Sequence, residues 1–260
     1  MLWIKISMIE LNRIYNGNCL NVMKNIEDNF IDLVITSPPY NVGVSYDSWL
    51  DKLTYEEYFS FMRNVLSELY RCLKPDGRIA LNILYEVNFK ERGGRVFLVS
   101  EIWGIMKKIG YNWAGIADLQ EIQPHRVKYT AWGSYLSASS PYIYNPKECV
   151  LLAYKDHWKK DSKGKTTITS DEFIEAVSGR WKYMAETKKI TMANYSEDIP
   201  NMAIKIMSYE GDIVYDPFMG SGTTALACKK LNRNYIGSEI SEEYCRIAND
   251  RINNIPKELF

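Results

Sequence analysis

Residues 211–225 read Gly-Asp-Ile-Val-Tyr-Asp-Pro-Phe-Met-Gly-Ser-Gly-Thr-Thr-Ala. A short apolar run, Ile213 to Tyr215, leads into a turn carrying Gly220 and Gly222, and an apolar stretch from Thr223 to Leu231 follows. Strand, glycine turn and helix in that order bring main-chain N–H groups close to a ligand at a helix N-terminus. The two glycines permit positive φ and put no Cβ in the way of that approach. A second strand-like run, Asn234 to Glu239, ends on an acid nineteen positions after Gly220. That spacing suits a carboxylate accepting hydrogen bonds from ribose hydroxyls. A tight turn with packing glycines is the plain alternative, and the agreement of strand, turn, helix, strand and acid weighs against it.

The pattern Gly-x-Gly-x-x-Ala plus an acid also fits a nicotinamide dinucleotide site, which would make the chain an oxidoreductase. Its place in the chain argues otherwise. Only 21 residues follow Glu239, room for one helix from Ser241 to about Asn253. A dinucleotide fold needs several more strands downstream. The missing strands must lie upstream, so the pattern predicts an α/β sheet that is circularly permuted in sequence.

Upstream, Ile31 to Ile35 is an apolar run of buried-strand type, broken only by Asp32, and Thr36-Ser37-Pro38-Pro39-Tyr40 follows it. Two successive prolines end a strand and donate no main-chain hydrogen bonds, which leaves a stiff loop whose carbonyls are acceptors. A hydroxyl before them and a ring after them give two acceptors and one flat face. An exocyclic amino group on a nucleobase offers two N–H donors and a planar ring. Ser37 Oγ and the Pro38 carbonyl match the donors, and Tyr40 matches the ring. On this reading only the ring of Tyr40 is needed, so Tyr40→Phe is expected to be mild. For the tetrapeptide alone, a proline turn with Tyr40 as packing is an equal alternative; the glycine turn downstream tips the balance.

These two motifs in this order make the chain resemble the S-adenosylmethionine-dependent DNA amino-methyltransferases. The resemblance is to their permuted arrangement, in which the Ser/Asp-Pro-Pro-Tyr motif precedes target recognition and the cofactor motif follows. Tyr15-Asn16-Gly17-Asn18-Cys19 is similar to the family's cofactor-adenine segment, with Asn18 where Asp is usual. Ala193 to Pro200 resembles the segment that opens the helix before the cofactor strand. Thr130 to Tyr154 resembles the cytosine-N4 subgroup, and Ser rather than Asp before Pro-Pro points the same way.

The resemblance covers most of residues 11–252. It implies a Rossmann-like methyltransferase sheet with helices on both faces, plus irregular target-recognition insertions. Residues 11–121 would form the catalytic half, 122–190 the target-recognition region and 191–260 the cofactor-binding half. The implied cofactor is S-adenosyl-L-methionine, with no metal. The implied reaction is direct methyl transfer to N4 of a flipped-out cytosine in double-stranded DNA, with adenine N6 as the alternative. Catalysis would fall to Ser37, Pro38, Pro39 and Tyr40. Asn18, Asp216, Phe218, Gly220, Ser221, Gly222, Thr223 and Glu239 would hold the cofactor, Asp216 by orienting the turn or by touching the methionine end. A restriction–modification setting with a cognate endonuclease is implied, and a homodimer is left open. A nucleic-acid-binding module that keeps the fold without catalysis is the remaining alternative.

At 260 residues and 46% hydrophobic content the chain suffices for one α/β core. Its net charge is zero, 32 basic against 32 acidic residues, which does not mark a nucleic-acid binder. A local basic face is enough for phosphate contacts, however. The candidates are Lys90, Arg92 and Arg95; His125, Arg126 and Lys128; and the run Lys155, Lys159, Lys160, Lys163 and Lys165, which reads as a mobile loop able to close on DNA. Five scattered cysteines and two histidines give neither a zinc site nor a disulfide frame. No cysteine follows a proline, as cytosine-C5 chemistry would need. The pattern suits a reducing cytoplasm. Within Met1 to Met8, Leu2-Trp3-Ile4 is too short for a signal peptide or membrane span and reads as an extra segment ahead of a start at Met8.

Apolar spacing and turn residues predict strands over Arg13–Tyr15, Ile31–Ile35, Arg78–Leu84, Tyr111–Glu121 and Cys149–Tyr154. They predict helices over Tyr55–Leu73, Val96–Ile109 and Ile199–Ser208, with a turn at Lys74-Pro75-Asp76-Gly77. Strands alternating with helices imply a parallel sheet. Residues 122–146 and 156–190 read as irregular and as the place for DNA recognition, with Trp132 and Trp158 divided evenly between recognition and packing.

Overall fold

The structure, a computed structural model, describes residues 9–41, 45–46, 49–50, 53–89, 94–122, 147–184 and 196–254. The chain begins with β1 (Arg13–Asn16), α1 (Cys19–Met23) and β2 (Ile31–Thr36), then the small ladder β3 (Ser45–Tyr46) and β4 (Trp49–Leu50). Next come α2 (Tyr55–Cys72), β5 (Leu73–Leu84), the hairpin β6 (Glu86–Phe89) and β7 (Gly94–Phe97), and α3 (Leu98–Ile109). The middle of the chain supplies β8 (Asn112–Glu121), β9 (Glu148–Tyr154), α4 (Ser170–Val177) and β10 (Arg180–Tyr183). The last part is α5 (Asp198–Met207), β11 (Ile213–Asp216), α6 (Thr223–Lys230), β12 (Asn234–Glu239) and α7 (Glu242–Asn253).

Eight strands form one sheet in the order β1-β12-β11-β2-β5-β9-β8-β10. The strands that carry the two motifs, β2 and β11, are parallel neighbours through Leu33 opposite Val214 and Val34 opposite Tyr215. β1, the first strand in sequence, pairs in parallel with β12, the last, and α7 packs back on β1. That closure is the expected permutation. Each strand of the motif pair is buried on both sides, β2 at all six positions, as a parallel sheet covered by helices requires. One face packs on α1, α2 and α3 through residues such as Met23, Leu66 and Ile102. The other packs on α5, α6 and α7 through Ile204, Ala227 and Ala248, with Trp181 of β10 at its margin. α2 begins at a capping box in which Thr54 and Glu57 satisfy each other's main-chain N–H groups.

Several expectations need correction. The sheet is mixed, because β9 runs antiparallel to both β5 and β8. The Lys74–Gly77 turn is a bulge inside β5, where the pairing jumps from Ile31 opposite Leu73 to Leu33 opposite Arg78. Helix α3 starts at Leu98, because Gly94–Phe97 pairs with Glu86–Phe89. The stretch 156–190 is not wholly irregular: it contains α4, again opened by a capping box, and β10, which adds an eighth strand beside β8. Residues 1–8, 90–93, 123–146 and 185–195 lie outside the described residues, and with them Lys90, Arg92, His125, Arg126, Lys128, Trp132 and most of the segment resembling the cytosine-N4 subgroup. Arg95 is described and pairs with Glu86 at 3.1 Å.

The lysine-rich run is the largest correction. β9 descends through the sheet, so the chain after it emerges at the amino ends of the parallel strands, opposite the two motifs. There Lys155 Nζ donates to Asn29 Oδ1 at 2.8 Å and to the Leu73 carbonyl at 2.9 Å. The Lys160 side chain is only 4% exposed and lies 3.1 Å from Asp32, 3.2 Å from Asp212 and 3.8 Å from Asp76. Those three acids stand at the starts of the adjacent strands β2, β11 and β5. Trp158 lies under the Arg78 guanidinium, 4.3 Å from ring centre to Cζ, so it belongs to packing. The run seams the floor of the sheet and is not placed to close on DNA beside the motifs. No helix among the described residues is long and apolar enough to cross a membrane.

Removing the Lys160 cation leaves three carboxylates around a buried gap. Lys160→Met is therefore expected to lower stability by about 3–5 kcal/mol, the scale for breaking a buried ion pair. Lys159→Met, on an exposed side chain, should stay within about 0.5 kcal/mol. Urea unfolding of both variants checks this, and matched midpoints would refute it.

Candidate active site

The carboxyl ends of β1, β12, β11 and β2 point to one side of the sheet. Asn16 stands opposite Glu239, and Asp216 opposite Gly237. The turns that follow these strands therefore open into one cleft. Asn18, Ser37, Pro38, Pro39, Tyr40, Phe218, Gly220, Ser221, Thr223 and Glu239 all line it. The structure thus gathers residues from three separate stretches of the chain. Two residues expected in the cleft, Asp216 and Gly222, stand behind it.

Asp216 is fully buried. Its Oδ1 accepts from Thr36 Oγ1 at 2.7 Å and from the Phe218 N–H at 3.0 Å, and its Oδ2 accepts from Thr224 Oγ1 at 2.6 Å. Burial pushes its carboxyl up to about 6, against the pull of those three donors. Of the two roles expected for it, orienting the turn is the one this geometry supports. Gly222 adopts φ +83°, and a Cβ there would meet the Ala248 Cβ of α7 at 2.8 Å. Helix packing is by itself enough to require a glycine there. At Gly220, φ +53°, a Cβ would meet only the Phe218 carbonyl oxygen, in ordinary contact at 3.9 Å. Arg251 of α7 braces the turn from outside, donating to the Ser221 carbonyl at 2.6 Å and to Ser221 Oγ at 2.8 Å.

Glu239 Oε2 accepts from the Gly220 N–H at 2.8 Å, and its Oε1 accepts from the Ser241 N–H at 2.9 Å. The acid therefore shapes the turn as well as facing the cleft, and burial raises its pKa. Asn18 is the N-cap of α1, its Oδ1 accepting from the Leu20 N–H at 2.9 Å.

On the other wall, Ser37 Oγ lies 2.8 Å from Tyr40 Oη. Tyr40 Oη in turn lies 3.3 Å from Glu148 Oε2 and 3.2 Å from Asn82 Nδ2, which itself donates to Glu148 Oε2 at 2.8 Å. Burial, reinforced by Glu148, pushes the Tyr40 hydroxyl well above its usual range, so it stays protonated. The ring of Tyr40 lines the cleft while its hydroxyl sits in this network. The expectation of a mild Tyr40→Phe change is therefore revised. Glu148 and Asn82 carry no motif, and nothing in the linear sequence marks them as neighbours of Tyr40.

Phe61, Ile240 and Tyr244 also line the cleft and were not foreseen. Phe61 offered a clue, since it lies off the buried stripe of α2 and packs instead on Phe218, 6.1 Å between ring centres. Cys19 lines the cleft too, but burial pushes its thiol up to about 12, so it is no nucleophile at neutral pH. Among the described lining residues none is Lys or Arg. Main-chain amides of the turn, free lone pairs on Glu239 and the flat faces of Phe218, Phe61 and Tyr244 suit an adenosyl group bearing an amino acid better than a pyrophosphate.

Gly222→Val is expected to lower the melting temperature because of the Ala248 clash. Gly220→Ala should cost about 1–2 kcal/mol, the left-handed penalty for a non-glycine residue, while its Cβ enters the cleft. Calorimetry with S-adenosyl-L-methionine should then show weakened binding in Gly220→Ala under conditions where the variant is folded. Unchanged affinity would argue against a ligand at this turn.

The model of the N6/N4-type DNA methylase family matches residues 31–250 of the chain. The Type II methyltransferase M.MjaVI of Methanocaldococcus jannaschii is 39% identical over 188 residues, 72% of this chain and 92% of that protein. The Type II methyltransferase M.HpaI of Haemophilus parainfluenzae is 30% identical over 256 residues, 93% of this chain and 74% of its own. A Thermus thermophilus protein assigned as a DNA modification methylase, solved as a complex with S-adenosyl-L-methionine, has the same fold with a TM-score of 0.73 at 22% identity, covering 94% of this chain and 95% of that one. The PvuII DNA methyltransferase, described as cytosine-N4-specific, superposes with a TM-score of 0.71 at 19% identity, covering 94% and 88%. A permuted methyltransferase sheet, a family match over most of the chain and a relative at this identity agree: the chain belongs to the N6/N4 family of DNA methylases, amino-methyltransferases that draw their methyl group from S-adenosyl-L-methionine.

Proposed function

We propose that the chain methylates N4 of cytosine in double-stranded DNA. The observation that carries the reading is a serine, Ser37, ahead of Pro38-Pro39-Tyr40 in the same cleft as the glycine turn. S-adenosyl-L-methionine supplies an electrophilic methyl group on a sulfonium when bound. Gly220, Ser221 and Thr223 would hold its amino-acid end, Glu239 its ribose hydroxyls, and Phe218 and Asn18 its adenine. Asp216 and Gly222 would act one step back, by fixing the turn.

The target base cannot be reached inside a duplex, so it would be flipped out and stacked on the Tyr40 ring. Ser37 Oγ and the Pro38 carbonyl would accept the two amino hydrogens. Held there, the nitrogen loses conjugation with the ring and turns a lone pair toward the methyl group; the N–C bond would form as the S–C bond breaks, a neutral thioether would leave, and the surplus amino proton would pass to solvent. Much of the rate would come from this positioning, without a covalent enzyme intermediate. The high position of the Cys19 thiol supports that reading, since an attacking thiolate is what C5 chemistry needs.

Residues between β8 and β9 fall within the region proposed for target recognition, with 11–121 and 191–260 as the two halves of the catalytic domain. The Type II naming of the relatives supports a modification role beside a cognate endonuclease. The exposed Phe173, Ile174 and Val177 on α4 support self-association at that edge of the sheet.

The test is to methylate DNA in vitro, digest it to nucleosides and identify the modified base by mass. N4-methylcytosine is expected. N6-methyladenine would overturn the base assignment, and 5-methylcytosine the mechanism. Ser37→Ala should lower kcat more than it raises the DNA Kd, because its hydroxyl acts where the nitrogen rehybridises.

A further inference from the structure

Ser37 is useful to an incoming amino group only if its oxygen is free to accept. A serine hydroxyl donates and accepts, so something must decide where its single proton points. We infer that Glu148, acting through Tyr40, makes that decision: it is a positioning residue that fixes the direction of the hydrogen-bond chain and so leaves Ser37 Oγ as an acceptor toward the cleft. This deepens the proposed function and rests on it.

The argument starts at the buried end. Asn82 Nδ2 can only donate, and it lies 2.8 Å from Glu148 Oε2. That oxygen therefore accepts, and with the carboxyl ionised, or with its proton on Oε1, it has none to give to Tyr40. Tyr40 Oη, 3.3 Å from the same oxygen, must supply the proton of that contact. A second acceptor for it, the Asn82 main-chain carbonyl, also lies at 3.3 Å. Asn82 Nδ2 donates to Tyr40 Oη as well, at 3.2 Å. With its one proton directed at Glu148 and β5, Tyr40 can meet Ser37 only as an acceptor. Ser37 then donates across the 2.8 Å contact, and its lone pairs remain for the base.

Position supports the assignment. Glu148 opens β9 and pairs across the ladder with Leu84, so its backbone is held by the sheet, not by a loop. It lies behind the cleft wall, where Ser37 and Tyr40 face the ligand and Glu148 does not. A carboxyl in that place is costly to bury, and burial indeed raises its pKa. An apolar residue would pack there without that cost.

The test compares Glu148→Met, Glu148→Gln, Tyr40→Phe and the Glu148→Met/Tyr40→Phe pair in the full chain, with single-turnover methyl transfer to DNA as the readout. Melting temperature and S-adenosyl-L-methionine affinity establish that each variant is folded and loaded. Glu148→Met and Tyr40→Phe are each expected to slow transfer by about ten- to hundredfold, the scale of one hydrogen bond converted to rate. The pair should be no slower than Tyr40→Phe alone, because both act along one chain. Glu148→Gln, whose carbonyl oxygen can accept in place of Oε2, should recover most of the rate. A Glu148→Met enzyme with the wild-type rate would overturn the inference. So would losses that multiply in the pair, or a Glu148→Gln variant as slow as Glu148→Met. Failure of the wild-type chain to methylate DNA at all would instead overturn the proposed function.

Discussion

The site depends on one buried carboxylate that two distant parts of the chain share. Asp216 accepts from Thr36, the residue before Ser37, and from Thr224 and the Phe218 N–H within the cofactor turn. The Thr36 hydroxyl and the Phe218 N–H would lose this partner without it, at a cost of about 1–3 kcal/mol apiece. The contact exists only because β2 and β11 are parallel neighbours. The register of those two strands and the relative placement of Ser37 and Gly220 are thus one fact. A slip of one residue would turn every side chain of either strand to the opposite face and would part Thr36 from Asp216.

The two ends of the sheet handle charge differently. At the amino ends, Lys160 and Lys74 offset Asp32, with Asp76 and Asp212 close by, in a compact ionic seam. At the carboxyl ends, Asp216 is met by neutral hydroxyls and a main-chain amide, Glu148 by an amide side chain and a phenol, and Glu239 by main-chain N–H groups. Burial raises the pKa of all three. Among the described residues that line the cleft none is Lys or Arg, and its walls carry dipoles fixed by the sheet. Such dipoles need no rearrangement when charge shifts during a reaction.

This division also explains what the sequence could and could not reveal. Asp216 to Ala225 and Ser37 to Tyr40 were legible because glycine and proline constrain the backbone locally, so their meaning does not wait for the fold. The permutation was legible from strand count alone: Glu239 stands too near the end for the sheet to lie downstream. Gly222 was read as a ligand-approach glycine because its neighbour Ala248 lies on a helix that no local pattern brings there. Lys160 was read as part of a loop closing on DNA because its three acids sit 128, 84 and 52 positions away in sequence and meet only at the floor of the sheet. Glu148 and Asn82 were silent for the same reason. A buried polar residue in a strand looks like an ordinary interruption until its partner is known. α4 and β10 were missed because eight and four residues are too short to show a period against polar flanks.

The side chains that face the cleft are mostly neutral and apolar, and the charges stand one layer behind them. Ser37 and Tyr40 screen Glu148; Thr36 and Thr224 screen Asp216; Glu239 alone reaches the cleft wall. A cation in the cleft would feel these carboxylates through a low-dielectric layer, where attraction falls off less than it does in water. The neutral product that remains once the positive charge is gone would lose that attraction. Cofactor and spent cofactor differ by one such charge. Among the described lining residues no cationic side chain opposes such a charge.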